Sequence, residues 1–330
     1  MNKIRWGVLS TANIGRKKVI PAIQASERGE VVAVGSRSDA NARAFADELG
    51  IPVAHGSYEA LLADPNIDAI YNPLPNHLHV PLSIQALEAG KHVLCEKPIS
   101  LDVKDLQALK AAAKAHPKQK LMEAFMYRFH PQWQQVREWL KRGDLGQVRT
   151  YTAFFAYNNR DDENIRNLPD IGGGGLMDIG CYGISSARHV YGSEPVRVVG
   201  SVQPLAGYEV DCLTSAIMEF PDGTATFTVT TKTEATQWAE IHGEKGMIRL
   251  EKPFNPEPGD ENRVTLVING DKQTFSFPEP NQYQLMVDAF AQSIQEGTPA
   301  PTPLWDAEAN MRIIDALFTS SDESRWVNLD

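Results

Sequence analysis

The sequence predicts an α/β chain in two parts, an N-terminal parallel sheet and a C-terminal α+β domain with a large, open, mostly antiparallel sheet. Three observations predict it. Strand-like and helix-like segments alternate up to about residue 125, the pattern of a parallel sheet joined by right-handed crossovers. Between Val196 and Phe277, strand-like runs follow one another with turn residues between them, the pattern of hairpins. The length, 330 residues, exceeds one ordinary core, since single domains run to about 100–200 residues. A division into 1–124 and 125–330 follows.

In the first part, Lys3 to Ser10 is rich in β-formers and ends at small residues. A helix-compatible stretch runs from about Gly15 to Arg28, Val31–Val34 is a second buried strand, and Ala40–Leu49 reads as a helix. Asp68–Asn72 is a strand, ended by Pro73 and Pro75, which cannot donate to a ladder. Val80–Ala89 is helical and stops at Gly90; His92–Cys95 is a strand, Leu101–Ala115 a helix, and Leu121–Tyr127 one further strand. Ligands of such sheets bind at the carboxyl ends of the strands.

In the second part, a short helix (Gln132–Lys141) precedes an alternating run, Val148–Tyr157. Four glycines, Gly172 to Gly175, open a helix from Leu176 to Tyr191. Strand-like runs follow at Val196–Val202, Thr214–Phe220, Thr224–Thr231, Ala239–His242, Met247–Leu250, Val264–Ile268 and Thr274–Phe277. Pro221-Asp222-Gly223 and Asn269-Gly270-Asp271 read as hairpin turns. Helices Gln282–Gln295 and Trp305–Phe318 close the chain.

Composition narrows the function classes. A net charge of −10 argues against nucleic acid or an anionic membrane as the main partner. No run of about 18 apolar residues and no apolar leader core occurs. Cys95, Cys181 and Cys212 show no CxxC spacing, which fits a reducing, cytoplasmic setting. His77 and His79 lack further acids or cysteines at ligand spacing, so no metal site is expected.

A parallel start invites a search for a dinucleotide fingerprint. Ser10-Thr11-Ala12-Asn13-Ile14-Gly15 keeps the last glycine and puts small residues at the other two places, which still permits a tight turn close to a pyrophosphate. After the second strand comes Ser36-Arg37-Ser38, with no acid to hold a ribose 2′-hydroxyl. Arg37 pairs with a 2′-phosphate and Ser36 donates to it, so NADP is expected over NAD.

Three further segments carry a resemblance: Pro73-Leu74-Pro75-Asn76-His77-Leu78-His79, Ala89-Gly90-Lys91-His92-Val93-Leu94-Cys95-Glu96-Lys97-Pro98, and Gly172-Gly173-Gly174-Gly175-Leu176-Met177-Asp178-Ile179-Gly180-Cys181-Tyr182. In this order the chain resembles the glucose–fructose oxidoreductase/inositol dehydrogenase (Gfo/Idh/MocA) family over nearly its whole length. The resemblance implies a Rossmann domain, a nicotinamide beside Lys97 and a cis bond before Pro98. In many relatives the glycine-rich motif ends in Asp and His; Tyr182 in the His place resembles the branch with glucose–fructose oxidoreductase, dimeric dihydrodiol dehydrogenase and NADP-dependent xylose dehydrogenase.

The chemistry gives roles to these residues. Alcohol oxidation needs a hydride acceptor and a base for the hydroxyl proton. The Lys97 ammonium would stabilise developing alkoxide charge. A phenol titrates near a pKa of about 10, and an ammonium beside it favours its ionised form, so Tyr182 is expected as the proton donor and acceptor. The two roles could be swapped or shared. Asp178, one helical turn before Tyr182, is expected to orient the substrate or Lys97, or to serve the helix start. Pro73, Leu74, Asn76, His79, Glu96 and Arg128 complete the expected cofactor contacts; His79 is also a packing or capping residue, and Arg128 a possible structural ion pair.

Substrate contacts are expected from Tyr157, Lys232, Trp238 and Tyr283, because hydroxyls need polar partners and sugar C–H faces stack on aromatics. The resemblance implies aldose oxidation at C1 (D-xylose or D-glucose to the lactone); because the sequence starts at the first strand, where glucose–fructose oxidoreductase has an N-terminal extension that helps keep its cofactor bound, exchangeable NADP(H) is expected. Trans-dihydrodiol oxidation and reduction of a 1,5-anhydrofructose type are alternatives. A non-catalytic dinucleotide-binding sensor would have lost Lys97 or its partner, and the nucleotide motif counts against a plain sugar-binding module. The open sheet face implies a homodimer or homotetramer, as in relatives.

Overall fold

In the computed structural model, which describes residues 2–257, 259–277 and 281–329, strands and helices alternate at the start of the chain. They are β1 (Ile4–Leu9), α1 (Ile20–Ala25), β2 (Gly29–Gly35), α2 (Asp39–Leu49), β3 (Val53–His55), α3 (Tyr58–Leu62), β4 (Ala69–Asn72), α4 (His79–Glu88), β5 (His92–Cys95), α5 (Val103–Ala115) and β6 (Leu121–Glu123). The strands pair in the order β3-β2-β1-β4-β5-β6, all parallel. β1 stands between β2 and β4, so the chain changes direction across the sheet there, the point at which open α/β sheets leave a crevice.

β3 and α3 were not expected. A three-residue strand and a five-residue helix are too short for a period to register; α3 is fixed by Ser57, whose hydroxyl accepts the Ala60 N–H at 3.1 Å. The expected helix from Gly15 to Arg28 opens with a π turn at Gly15–Val19 and ends at Ala25, where Ser26 turns extended. The strand expected over Leu121–Tyr127 stops at Glu123, and Met126–Phe129 forms a 3₁₀ turn.

The rest of the chain gives α6 (Pro131–Arg142), β7 (Val148–Asn158), α7 (Cys181–Tyr191), β8 (Arg197–Pro204), β9 (Asp211–Phe220), β10 (Gly223–Thr230), β11 (Lys232–Gly243), β12 (Gly246–Leu250), β13 (Arg263–Ile268), β14 (Asp271–Ser276), α8 (Gln282–Glu296), α9 (Leu304–Glu323) and β15 (Val327–Asn328). Among the described residues nine strands form one sheet in the order β14-β13-β12-β11-β7-β10-β9-β8-β15, in which β7 and β10 run parallel and the other neighbours antiparallel. Both expected hairpins form: Phe220 pairs Gly223, and Ile268 pairs Asp271 across Asn269 and Gly270 at φ 51° and 91°. β11 is longer than expected, because a shift of register between Lys232 and Thr236 hides the alternation of its first residues.

Two units result: Met1–Met126 with Asn281–Glu308, and Tyr127–Pro280 with Ala309–Asp330. The division expected at 124/125 put all later residues in the second domain; Asn281–Glu308 belongs instead to the first. Packing explains this. Phe290 of α8 lies 5.9 Å from the Trp6 ring, both fully buried, and Asp288 accepts from the Ser26 hydroxyl. Emptying such a site (Phe290→Ala) costs about 3–5 kcal/mol.

In the second unit α7 lies on β7 and β10. Their inward residues Tyr151, Phe155, Phe227 and Val229 are buried, and the Tyr151 hydroxyl meets Ser186 at 2.5 Å. The approach is close: a Cβ on Gly183 would stand 2.7 Å from Phe227. The other face shows Thr152, Thr226, Ser215 and Thr228, bonded across strands, and an exposed Ile217. Among the described residues no helix is long and apolar enough to cross a membrane.

Candidate active site

The parallel register brings the ends of β1, β2, β4, β5 and β6 to one edge: Leu9 faces Gly35, Asn72 faces Cys95, and Cys95 faces Glu123. Most of the expected cofactor residues leave the sheet at this edge. Ser10 follows β1 with φ 70°, taking the left-handed conformation at the place where the fingerprint has its first glycine. Its Oγ is buried with no hydrogen-bond partner. Thr11 and Ala12 complete the turn, and the helical segment starts at Asn13 and Ile14. A tight turn with an orphaned hydroxyl ahead of a helix fits a pyrophosphate.

After β2, Ser36 is buried and Arg37 exposed. Arg37 hydrogen-bonds the hydroxyl of Tyr58, at the start of α3; burial pushes that phenol up and Arg37 opposes it. The sequence reading missed Tyr58 because α3 itself was not foreseen. Arg37 with Ser36 fits a 2′-phosphate.

After β4, Asn72 is fully buried and organises the Pro73–Asn76 segment. Its Oδ1 accepts the Leu74 N–H at 3.3 Å, and its Nδ2 donates to the His79 carbonyl and to Ser83, both at 3.2 Å. Asn76 opens a 3₁₀ turn. His79, expected as a cofactor contact, is buried with both ring nitrogens against backbone carbonyls, so it meets protein rather than ligand.

After β5, Glu96 and Lys97 are half-buried. The Tyr71 hydroxyl donates to Glu96 Oε1 at 2.7 Å, and burial, then the Glu96 charge, push that phenol well up. The Lys97–Pro98 bond is cis. The buried Glu123 accepts the Ile99 N–H at 2.9 Å, fixing the segment after it. Tyr283, expected as a substrate contact, lies in this unit, at the start of α8, and not in the unit that carries Asp178 and Tyr182.

In the second unit the glycine-rich turn is built on Asp211, whose Oδ2 accepts the Leu176 N–H at 2.7 Å and the Thr214 hydroxyl at 2.8 Å. Burial pushes the Asp211 carboxyl up while these donors pull it down. A Cβ on Gly174 would lie 2.2 Å from Asp211 Oδ1, so the glycine is required. Asp211 was missed because nothing in its own sequence neighbourhood marks it.

This turn launches a helical segment carrying Asp178 and then Tyr182. Asp178 Oδ2 accepts from the Tyr157 hydroxyl at 2.6 Å and lies 3.0 Å from Arg166 Nε. Arg166, also missed, comes from a loop without periodicity. Tyr182 is buried among the rings of Phe254, Phe155 and Tyr127, at 5.4, 5.8 and 5.9 Å. Arg128 donates to Ser185 at 2.7 Å and lies 3.4 Å from the Tyr127 hydroxyl.

Two expected substrate contacts fall elsewhere. The buried Lys232 ammonium donates to the Asn159 carbonyl and to Asn167 Oδ1 (2.8 Å), 3.6 Å above the Tyr208 ring, so it braces the 159–167 loop. Trp238 pairs with Phe154, stacked at 6.3 Å. Since Phe155 faces Tyr182, the alternation of β7 puts Phe154 and Trp238 on the opposite face.

Both parts of the chain match profiles of known proteins. The profile of the oxidoreductase family with an NAD-binding Rossmann fold matches residues 4–125, and that of the GFO/IDH/MocA C-terminal domain matches 133–249. A D-xylose 1-dehydrogenase (NADP(+)) of Haloferax volcanii is 40% identical over 98% of this chain and 99% of its own. A 3-ketoreductase from Actinomadura kijaniata, solved with NADP and TDP-benzene, is 32% identical with a TM-score of 0.90, covering 97% of this chain and 98% of the other. An aldose-aldose oxidoreductase from Caulobacter crescentus, complexed with glycerol, is 26% identical with a TM-score of 0.92, covering 99% and 100%.

Proposed function

The chain belongs to the Gfo/Idh/MocA family of oxidoreductases, and from that premise we propose that it is an NADP-dependent aldose dehydrogenase that oxidises C1 of a sugar of the D-xylose or D-glucose kind to the lactone. The observation that carries this reading is the 40% identity, over nearly the full length, to a D-xylose 1-dehydrogenase that uses NADP(+). Ser36 and Arg37, with no acid after β2, support the 2′-phosphorylated cofactor.

NADP⁺, when bound, supplies the hydride acceptor. The protein's own residues handle charge and position. Lys97 stabilises negative charge developing on the C1 oxygen. Tyr182 takes the hydroxyl proton. Asp178, held by Tyr157 and Arg166, orients the sugar hydroxyls, and Arg128, fastened to Ser185, shapes the wall around Tyr182. Lys232, which braces the 159–167 loop, and Trp238, stacked on Phe154, are left out of the proposed binding set.

The test mixes purified protein with NADP⁺ or NAD⁺ and a panel of aldoses and diols, and follows the absorbance of reduced nicotinamide. Turnover with NADP⁺ and an aldose, lost in Lys97→Ala and Tyr182→Phe, supports the reading. A signal with diols alone moves the protein to the dihydrodiol branch. Tight NADP(H) binding without turnover in either direction makes it a sensor.

Two further parts belong to the proposal. The open face around Ile217, 40% exposed, is proposed to pair with a second copy, giving a dimer or a dimer of dimers, and light scattering of Ile217→Lys tests this. The cysteines, all free and buried, are in keeping with a reducing, cytoplasmic setting.

A further inference from the structure

His79 opens α4 with a buried ring, and both ring nitrogens face backbone oxygens. Nδ1 lies 2.7 Å from the Pro98 carbonyl and Nε2 2.7 Å from the Leu74 carbonyl. A carbonyl only accepts. A neutral imidazole has one N–H, so a neutral ring in this seat would set a bare nitrogen lone pair against an oxygen lone pair. An imidazolium has two N–H groups and satisfies both oxygens. Because the oxygens lie on opposite sides of the ring, no rotation relieves one contact without breaking the other.

The two carbonyls belong to two parts of the site. Pro98 directly follows Lys97, and Leu74 sits in the segment that Asn72 organises after β4. The His79 backbone is itself held, through the Asn72 Nδ2 bond to its carbonyl.

The geometry points to His79 as a doubly protonated clamp, a positioning residue that sets Lys97 by tying the Pro98 carbonyl to the Leu74 carbonyl. This rests on the role of Lys97 under the proposed function. Opposing influences act on the ring. Burial is the largest and favours the neutral form; the Pro98 and Leu74 carbonyls favour the cation; Lys97 and His77, the charged or titratable groups facing it, favour the neutral form. Added together these leave the ring neutral at pH 7. The contacts decide otherwise, because a bare nitrogen at 2.7 Å from either oxygen is repelled, and charge-assisted bonds on both sides replace the lost hydration.

The test has two arms. In the first, the full-length wild-type protein is labelled with ¹⁵N and the His79 ring nitrogens are read by NMR between about pH 6 and 8. Two protonated nitrogens throughout are expected, and one bare nitrogen at pH 7 overturns the proposal. In the second, His79→Ala is expected to lose about 100-fold in kcat, as displacement of a reacting group does. Added imidazole should restore turnover, relative to wild type at the same pH, better at about pH 6 than at about pH 8, following the imidazolium fraction. Unchanged kcat, or equal rescue at both pH values, overturns it. If the wild type transfers no hydride at all, the proposed function fails while the nitrogen signals still decide the state of the ring.

Discussion

The Tyr157 hydroxyl donates to Asp178 at 2.6 Å, on the same carboxylate oxygen that Arg166 approaches at 3.0 Å. Burial, and then the Asp178 charge, push the Tyr157 phenol far above its ordinary value. Tyr157 therefore stays a proton donor at any working pH and holds Asp178 without titrating. This separates the two tyrosines on the α7 side of the sheet: Tyr157 serves a carboxylate, and proton exchange is the role proposed for Tyr182.

Tyr157→Phe removes the donor and keeps the ring. A hydrogen bond to a charged group is worth about 1.5–3 kcal/mol, so kcat/KM should fall about 10- to 100-fold. Asp178→Asn should cost a similar factor, and the double variant little more than the worse single one. Steady-state kinetics of the three proteins check it; multiplicative losses would mean that the pair does not act together.

Gly174→Ala should destabilise the second unit strongly. Its φ of 116° and the 2.2 Å approach of a Cβ to Asp211 Oδ1 combine strain with a clash, and about 3 kcal/mol or more is expected. Gly192 is the control. Its φ is 64° and nothing lies within 4 Å, so its alanine variant should lose only about 1 kcal/mol, the left-handed penalty alone. Urea unfolding of both variants gives the comparison; equal losses would remove the cradle role of Asp211.

Folding stability should fall as the pH drops from about 6.5 to 4. His130 caps α6 by accepting the Gln132 N–H on Nδ1 at 3.1 Å, and burial lowers its pKa to about 4. A folded pKa below the unfolded one means that the unfolded chain takes up the proton first. The contribution is thus complete above about pH 6.5 and is lost as the pH falls toward 4, by about 3 kcal/mol. Unfolding of His130→Asn, which keeps a capping acceptor, should show this much less loss between pH 7 and 4; an identical loss in both proteins would refute the assignment.

Arg37→Ala should weaken NADP⁺ binding about 10- to 100-fold and change NAD⁺ binding by less than about twofold, since a charge-assisted contact to the 2′-phosphate is removed. Tyr58→Phe, which frees the Arg37 fork, should have a smaller effect of the same sign. Fluorescence titration with both dinucleotides tests this. Equal losses for the two cofactors would place Arg37 away from the 2′-position.

Much of this was legible because it is local. Strand and helix periods, the turn residues and the motifs around Asn76, Lys97 and Asp178 all lie within a few residues of one another. What escaped depends on distant partners. Asp211 matters through Leu176 and Gly174, more than thirty residues earlier in the chain. Lys232 looked like a sugar contact until Asn159, Asn167 and Tyr208 gathered around it. Trp238 looked like a sugar contact until its pairing opposite Phe154 put it on the face away from Phe155 and Tyr182. The place of Tyr283 in the first unit follows from α8 packing on Trp6, a contact spanning nearly the whole chain.

The most direct test of NADP-dependent aldose oxidation through Lys97 and Tyr182 is kcat with NADP⁺ and D-xylose for wild type, Lys97→Ala, Tyr182→Phe and the double variant. Residues that serve one chemical step lose activity together, so each single variant should lose about 1,000-fold or more and the double variant little beyond that, with NADP⁺ affinity kept in Tyr182→Phe. Single variants that turn over D-xylose within about tenfold of wild type, or losses that multiply in the double variant, would contradict the account.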